Sequence, residues 1–206
     1  MTDAPLPARA LRSLRRAIGR VTPRRVRDSR VLSVVTLAAG GMSAGHVVEI
    51  VAWLDEASIA VWIAGGWGVD ALAGGRTRRH RDLDLLVDRR DLDRAVGVLG
   101  RCGYRRVRSE SVAGALLPER IVCEDPRGRL LDLHPVDVQE WLRTEVARRL
   151  PDAAAPARAA FARGMLDGTP VPCLSRALQL SAHEGYGHRK VDDHNVALLE
   201  TSDAPR

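Results

Sequence analysis

The sequence predicts an α/β (α+β) fold: a mixed β-sheet flanked by helices, with a small, mainly helical C-terminal region. Three observations carry this. Short runs rich in Val, Ile and Leu, at 59–64, 82–87 and 129–136, alternate with segments of helical periodicity. Turn chemistry at Asp125-Pro126-Arg127-Gly128 separates two strand patterns and predicts an antiparallel hairpin in mid-chain. No internal repeat is present, which turns the reading away from solenoids and propellers.

The elements follow in order. Ser43 caps a helix over 46–56, whose apolar positions Val47, Ile50, Val51 and Leu54 fall on one face. Residues 59–64 read as a buried strand, closed by Gly65-Gly66. A short helix over 67–72 stops at Gly74-Gly75. Arg76-Thr77-Arg78-Arg79-His80-Arg81 is a basic loop. A strand over 82–87 follows, then a helix over 91–101 with Leu92, Ala95, Val96 and Leu99 on one face. Strands are expected at 104–108, 120–124 and 129–136. Residues 139–160 are rich in Ala, Pro and Arg, and helical at best. A second hairpin spans 161–166 and 171–173 around Asp167-Gly168. Ser175 caps a helix to about residue 184, and a last helix runs near 192–199.

Charge divides the chain. Of 206 residues, 1–41 hold nine Arg against Asp3 and Asp28, a surplus of seven. The whole chain carries +6, so the remainder carries −1. The basic pI belongs to the leader, and it does not mark a nucleic-acid surface on the domain. Four Trp, two Tyr and one Phe are too few for a base-stacking platform. No apolar run reaches the ~18–20 residues of a membrane span. Cys102, Cys123 and Cys173 show neither zinc spacing nor a disulfide framework. The domain is expected in the cytoplasm, as a monomer or homodimer. The leader, with its Arg-rich start and apolar run 31–39, has the outline of an export signal, a transit peptide or a basic arm. The preferred expectation is a mis-assigned start or an inert, disordered extension. Lys190 stands alone among 31 Arg, which points to a GC-rich genome with long open frames, and Met42 immediately precedes the first helical pattern.

The chemistry centres on Asp82-Leu83-Asp84. On a strand, alternate side chains share a face, so both carboxylates point the same way. Paired oxygen ligands of this kind suit a magnesium ion carrying phosphate oxygens. The same letters recur at Asp91-Leu92-Asp93, but within a helical pattern. There the two side chains diverge by about 200°, which excludes chelation of one ion. Asp132, a lone acid in the strand pattern Leu130-Leu131-Asp132-Leu133-His134, is a third candidate, because a buried carboxylate requires a partner or a metal. A two-metal arrangement needs all three within about 4–6 Å. Gly65-Gly66, at a strand–helix junction, lets backbone N–H groups approach phosphate. Arg76, Arg78, Arg79 and Arg81 can neutralise a triphosphate, and His80 can contact phosphate or orient an aspartate.

The order Gly65-Gly66, Asp82-x-Asp84, Asp132 resembles the polymerase-β-like nucleotidyltransferase superfamily. Gly-Gly-Trp-Gly-Val-Asp-Ala-Leu at 65–72, the stretch from Arg76 to Asp84, and Leu131-Asp132-Leu133-His134-Pro135-Val136 are more specific. They resemble its small antibiotic-modifying branch, the aminoglycoside and lincosamide nucleotidyltransferases. Gly168-Thr169-Pro170-Val171-Pro172-Cys173-Leu174-Ser175, Gln179-Leu180 and His183-Glu184-Gly185-Tyr186 extend the likeness, which covers about residues 45–200. The resemblance implies a nucleotidyltransferase domain at 42–140 and a region at 141–206 that completes the substrate site. It implies two magnesium ions held by Asp82, Asp84 and Asp132, with Asp132 as metal ligand, general base or both. Gly65, Gly66, Arg78, His80 and Arg81 are the expected nucleotide contacts. Asn195 stands where the family tends toward an acid, and Gly187 replaces the acid expected after Gly-Tyr.

The expected reaction moves a nucleoside monophosphate from a nucleoside triphosphate to a hydroxyl of a small molecule, an aminoglycoside or lincosamide, releasing pyrophosphate. The alternatives are a protein or RNA acceptor, and a nucleotide-binding domain without catalysis. The three carboxylates argue against the last. The leader is expected to be dispensable: a chain beginning at Met42 should keep the melting temperature of the full chain in a thermal melt, and a marked fall would make the leader part of the fold.

Overall fold

The computed structural model describes residues 41–111, 115–183 and 190–201, so residues 1–40 of the leader, Gly187 and the Gly185-Tyr186 pair lie outside the described residues. Helix α1 (Ala44–Glu56) is capped by Ser43, whose hydroxyl accepts from the His46 amide at 3.2 Å. Strand β1 (Val61–Ala64) runs directly into α2 (Gly65–Leu72). After the basic loop come β2 (Asp82–Asp88), a 3-10 turn (Arg89–Asp91) and α3 (Leu92–Arg101). Strands β3 (Arg105–Ser111), β4 (Glu119–Glu124) and β5 (Leu130–Val136) follow. Then come α4 (Val138–Trp141), a π turn (Leu142–Val146), α5 (Ala147–Arg149) and α6 (Pro156–Ala160). The chain continues through β6 (Phe161–Leu166), β7 (Thr169–Leu174), α7 (Arg176–His183) and α8 (Lys190–Thr201).

All seven described strands join one mixed sheet in the order β3-β4-β5-β2-β1-β7-β6. β2 pairs with β5 in parallel, placing Asp84 opposite Asp132, and β1 pairs with β7 in parallel at Ile63 and Cys173. The remaining pairs are antiparallel. Alternation along each strand divides the sheet into two faces. Leu83, Leu85, Leu131 and Leu133 face one way and pack with Val47, Ile50 and Leu54 of α1 and with Leu99 of α3. Leu86, Val136 and Leu174 face the other way, against Val138, Trp141, Val146 and Leu178. Asp82, Asp84 and Asp132 alternate onto this second face.

Several elements depart from the sequence expectation. The 161–173 hairpin does not sit apart in a C-terminal region; it extends the central sheet, because it covers the edge that β1 would otherwise leave unpaired. The mid-chain segment forms real helix, with a π turn that no periodicity signals. The strand expected at 104–108 begins at Arg105 and runs to Ser111, with an irregularity between Arg106 and Arg108. The turn at 125–128 closes as expected: the Gly128 amide donates to the Asp125 carbonyl at 3.0 Å, and the Asp125 carboxylate accepts from the amides of Arg127 and Arg129.

Helix α2 lies tightly on β6. A Cβ at Gly164 would sit 2.5 Å from the Ala71 carbonyl, so the backbone of α2 needs a bare residue there. Gly164→Ala should therefore cost about 1–3 kcal/mol, the range for an overpacked core site. Urea unfolding measures it; a cost near zero would mean that α2 is free to shift.

Candidate active site

The junction of β1 and α2 gathers the candidate residues. Gly65 adopts a left-handed conformation at φ 58°, and a Cβ there would strike the Asp84 carboxylate. A Cβ at Gly66 would strike the His80 ring and the Arg78 guanidinium. The two glycines thus let the start of α2 approach the acidic strand on one side and the basic loop on the other. The expected short helix begins at Gly65 itself, so these glycines are its first turn rather than a stop before it.

The three carboxylates share one sheet face but differ in setting. Asp132 is fully buried, while Asp82 and Asp84 keep side-chain exposures of 18% and 28%. Arg81 donates from Nε to Asp82 Oδ2 at 3.1 Å. Arg120, from β4, donates from Nε to Asp132 Oδ2 at 2.6 Å and reaches Asp82 Oδ2 from Nη2 at 3.4 Å. His134 places Nδ1 at 2.9 Å from the Glu119 carbonyl and Nε2 at 3.0 Å from Asp84 Oδ1. The Glu119 carbonyl only accepts, so Nδ1 carries a proton, and the contact with Asp84 favours a second proton on Nε2. Among the described residues, no three potential ligands are already gathered as a metal cage. The Arg120 guanidinium bridges two of the three carboxylates, Asp82 and Asp132. The site nonetheless fits a divalent cation: Asp132 Oδ1 is buried without a hydrogen-bond partner, and carboxylate oxygens are the donors such an ion prefers.

The basic loop is fastened from behind. Asp70, a buried acid on α2, accepts from Thr77 Oγ1 on one oxygen and from His80 Nε2 on the other, each at 2.5 Å. His80 is itself buried and packs on the Trp67 ring at 4.6 Å. Of the two roles expected of His80, the contact with an aspartate is present: its Nε2 turns into the protein toward Asp70, where it ties down the loop. Arg78 reaches Asn195 Oδ1 on α8 from both Nε and Nη2 at 3.4 Å, which brings the C-terminal helix to the site. Sequence reasoning gave no role to Asp70 or Arg120. Asp70 had a usable signal, since it falls three residues after Trp67, on the same buried face of α2. Arg120 had none, because only the strand register shows that it shares a face with Asp132.

Comparison with known proteins fits this geometry. The sequence model of the aminoglycoside-2''-adenylyltransferase family matches residues 46–199. The chain belongs to this family. It is accordingly a nucleotidyltransferase. A lincosamide resistance protein of Staphylococcus haemolyticus is 24% identical over 147 residues, covering 71% of this chain and 88% of that protein. A 2''-aminoglycoside nucleotidyltransferase of Klebsiella pneumoniae is 33% identical over 130 residues, or 62% of this chain; the match spans 64% of that relative's length. Two solved structures share the fold. Lincomycin-bound LnuA, a lincosamide antibiotic adenylyltransferase, has a TM-score of 0.60 at 22% identity, covering 79% of this chain and 99% of its own. The solution structure of ANT(2'')-Ia has a TM-score of 0.55 at 21% identity, covering 76% and 81%.

In this nucleotidyltransferase the acidic face has its own titration. Burial pushes Asp132 up to about 7; the charges of Asp84 and Asp82 add to this, and Arg120 offsets only part of it. Burial would lower His134, but its hydrogen bond to Asp84 and the carboxylate charges hold it above its ordinary value. Burial raises Asp84 and Asp70, yet hydrogen bonds led by His134 and His80 hold both below the ordinary carboxylate value. Between the ordinary 3.8 and about 7, folded Asp132 keeps a proton that the unfolded chain releases. The stability this gives is complete below that window and is lost as pH rises through it; His134 adds in the same direction above 6.5. Without metal, stability should therefore fall as pH rises from about 5 to 8, by at most about 1.4 kcal/mol per pH unit per proton. Melts in chelator should show the slope, and Asp132→Asn should flatten its acidic part. An equal slope in the variant would remove Asp132 as its source.

Proposed function

We propose that this chain transfers a nucleoside monophosphate from a nucleoside triphosphate to a hydroxyl of an aminoglycoside or lincosamide, releasing pyrophosphate. The observation that carries the reading is the register of β2 against β5, which sets Asp84 beside Asp132 on the face that also bears Asp82. Family membership supports the acceptor class. A reaction that consumes nucleoside triphosphate belongs in the cytoplasm, and among the described residues no helix is long and apolar enough to cross a membrane.

Asp82, Asp84 and Asp132 would hold the divalent ions. Ions bound there supply Lewis-acid stabilisation of charge on the attacking and leaving oxygens. Asp132 would act as metal ligand, as general base for the acceptor hydroxyl, or as both; its unpartnered Oδ1 supports either role. His134 keeps Asp84 ionised and oriented. The first turn of α2 would offer its backbone N–H groups to the phosphates, with Gly65 and Gly66 permitting the close approach. Arg81 and Arg78 border the same space and would bind the triphosphate. The Asp70–His80 pair keeps this loop in place.

Incubation with labelled ATP, magnesium and a panel of aminoglycosides and lincosamides tests the reading directly. Label should move to at least one antibiotic, and transfer to none would overturn the acceptor class. Asp84→Asn should lower transfer by at least about a hundredfold, the scale of losing one preorganised electrostatic contact. Its melting curve should stay close to that of wild type. Near-normal turnover would remove Asp84 from the reaction.

A further inference from the structure

Arg120 projects from β4 into the acidic face. Its Nε donates to Asp132 Oδ2 at 2.6 Å, and its Nη2 contacts the same oxygen and lies 3.4 Å from Asp82 Oδ2. Its Nη1 reaches Glu110 on β3 at 3.4 Å. The guanidinium therefore occupies oxygens of two carboxylates assigned above to a divalent cation. A divalent cation held by the same carboxylates would bring a second positive charge within a few ångströms of this half-buried guanidinium, and the two cations repel.

We propose that Arg120 is an internal counter-ion of the acidic cluster, and that an incoming divalent cation displaces it from Asp82 and Asp132. The inference rests on the assignment of those carboxylates to metal. Arginine suits the task because it remains charged at every pH the fold meets. It also has an exit. Its side chain is 22% exposed, and Glu110 already holds Nη1, so the guanidinium turns outward without giving up its last ion pair. Arg108 holds Glu110 Oε1 at 3.0 Å and keeps that acceptor in position. The released fork remains beside the site, where a triphosphate offers oxygens for two parallel hydrogen bonds. Arg120 is then a positioning residue that couples the two ligands: metal frees the guanidinium, and nucleotide gives it a partner. Metal alone binds against this competition, and nucleotide relieves it.

The test is manganese binding to the full chain without nucleotide, read as free Mn2+ by electron paramagnetic resonance. Arg120→Met removes the charge at similar length and should bind Mn2+ about tenfold more tightly than wild type, within the usual range for coupled ligands. Arg120→Lys should fall between the two. Without metal, Arg120→Met should melt lower than wild type, and Mn2+ should raise its melting temperature by more. A second measurement needs no variant to fold stably: the Nε–H resonance of Arg120 in the wild-type chain should move when magnesium is added. Unchanged Mn2+ affinity in a folded Arg120→Met chain, or an unmoved Nε–H resonance at saturating magnesium, overturns the proposal. The outcomes separate from those of the transfer reaction. Displacement of Arg120 with no transfer to any acceptor leaves the counter-ion standing and removes the transfer reading. Transfer with Arg120 unmoved does the reverse.

Discussion

Three carboxylates on one face of two adjacent parallel strands are the constraint around which this molecule is arranged. Two unit charges about 4 Å apart repel by about 4 kcal/mol at an effective dielectric near 20. The fold answers with cations from separate places. Arg81 immediately precedes Asp82 in the chain, His134 lies two residues beyond Asp132 on the same strand face, and Arg120 comes from the antiparallel neighbour β4. Such an arrangement depends on register. A one-residue slip of β5 would turn Asp132 toward α1 and expose Leu131 and Leu133. The leucines that alternate with the acids prevent the slip, because Leu83, Leu85, Leu131 and Leu133 are all fully buried against the helices of the opposite face. Each of these strands is thus half core and half acidic cluster, and the hydrophobic half holds the charged half in place.

Sequence reasoning reached what depends on local pattern. Asp82-x-Asp84 on a strand, the contrast with the helical Asp91 and Asp93, the Ser43 and Ser175 caps and the two turns all follow from spacing within a few residues. The parallel pairing of β1 with β7 was not legible, because it joins residues more than a hundred positions apart and leaves no periodic trace. The same reason hid Arg120. Its alternation with Ile121 and Cys123 showed that it faced away from one core, but not that the other face held Asp132. His80 was read as poised between phosphate and aspartate. The structure favours the aspartate, and the partner is Asp70, not a member of the acidic triad.

That choice of partner separates two tasks within one short loop. Asp70 commits one oxygen to Thr77 and the other to His80, at the two sides of Arg78 and Arg79 in the chain. The loop is therefore pinned on both sides of Arg78 and Arg79 by contacts made within the protein itself. The pin is effective because it is buried: hydrogen bonds to an ionised carboxylate are stronger than neutral ones, and no water competes for them at a residue 1% exposed. α2 in turn is located by its contact with Gly164 on β6, so the edge hairpin at the far end of the chain helps to fix the position of Asp70. Asn195 then meets Arg78 with an amide oxygen and contributes no charge of its own. A carboxylate at 195 would instead form an ion pair with that guanidinium. The amide thus holds α8 against the basic loop without neutralising Arg78.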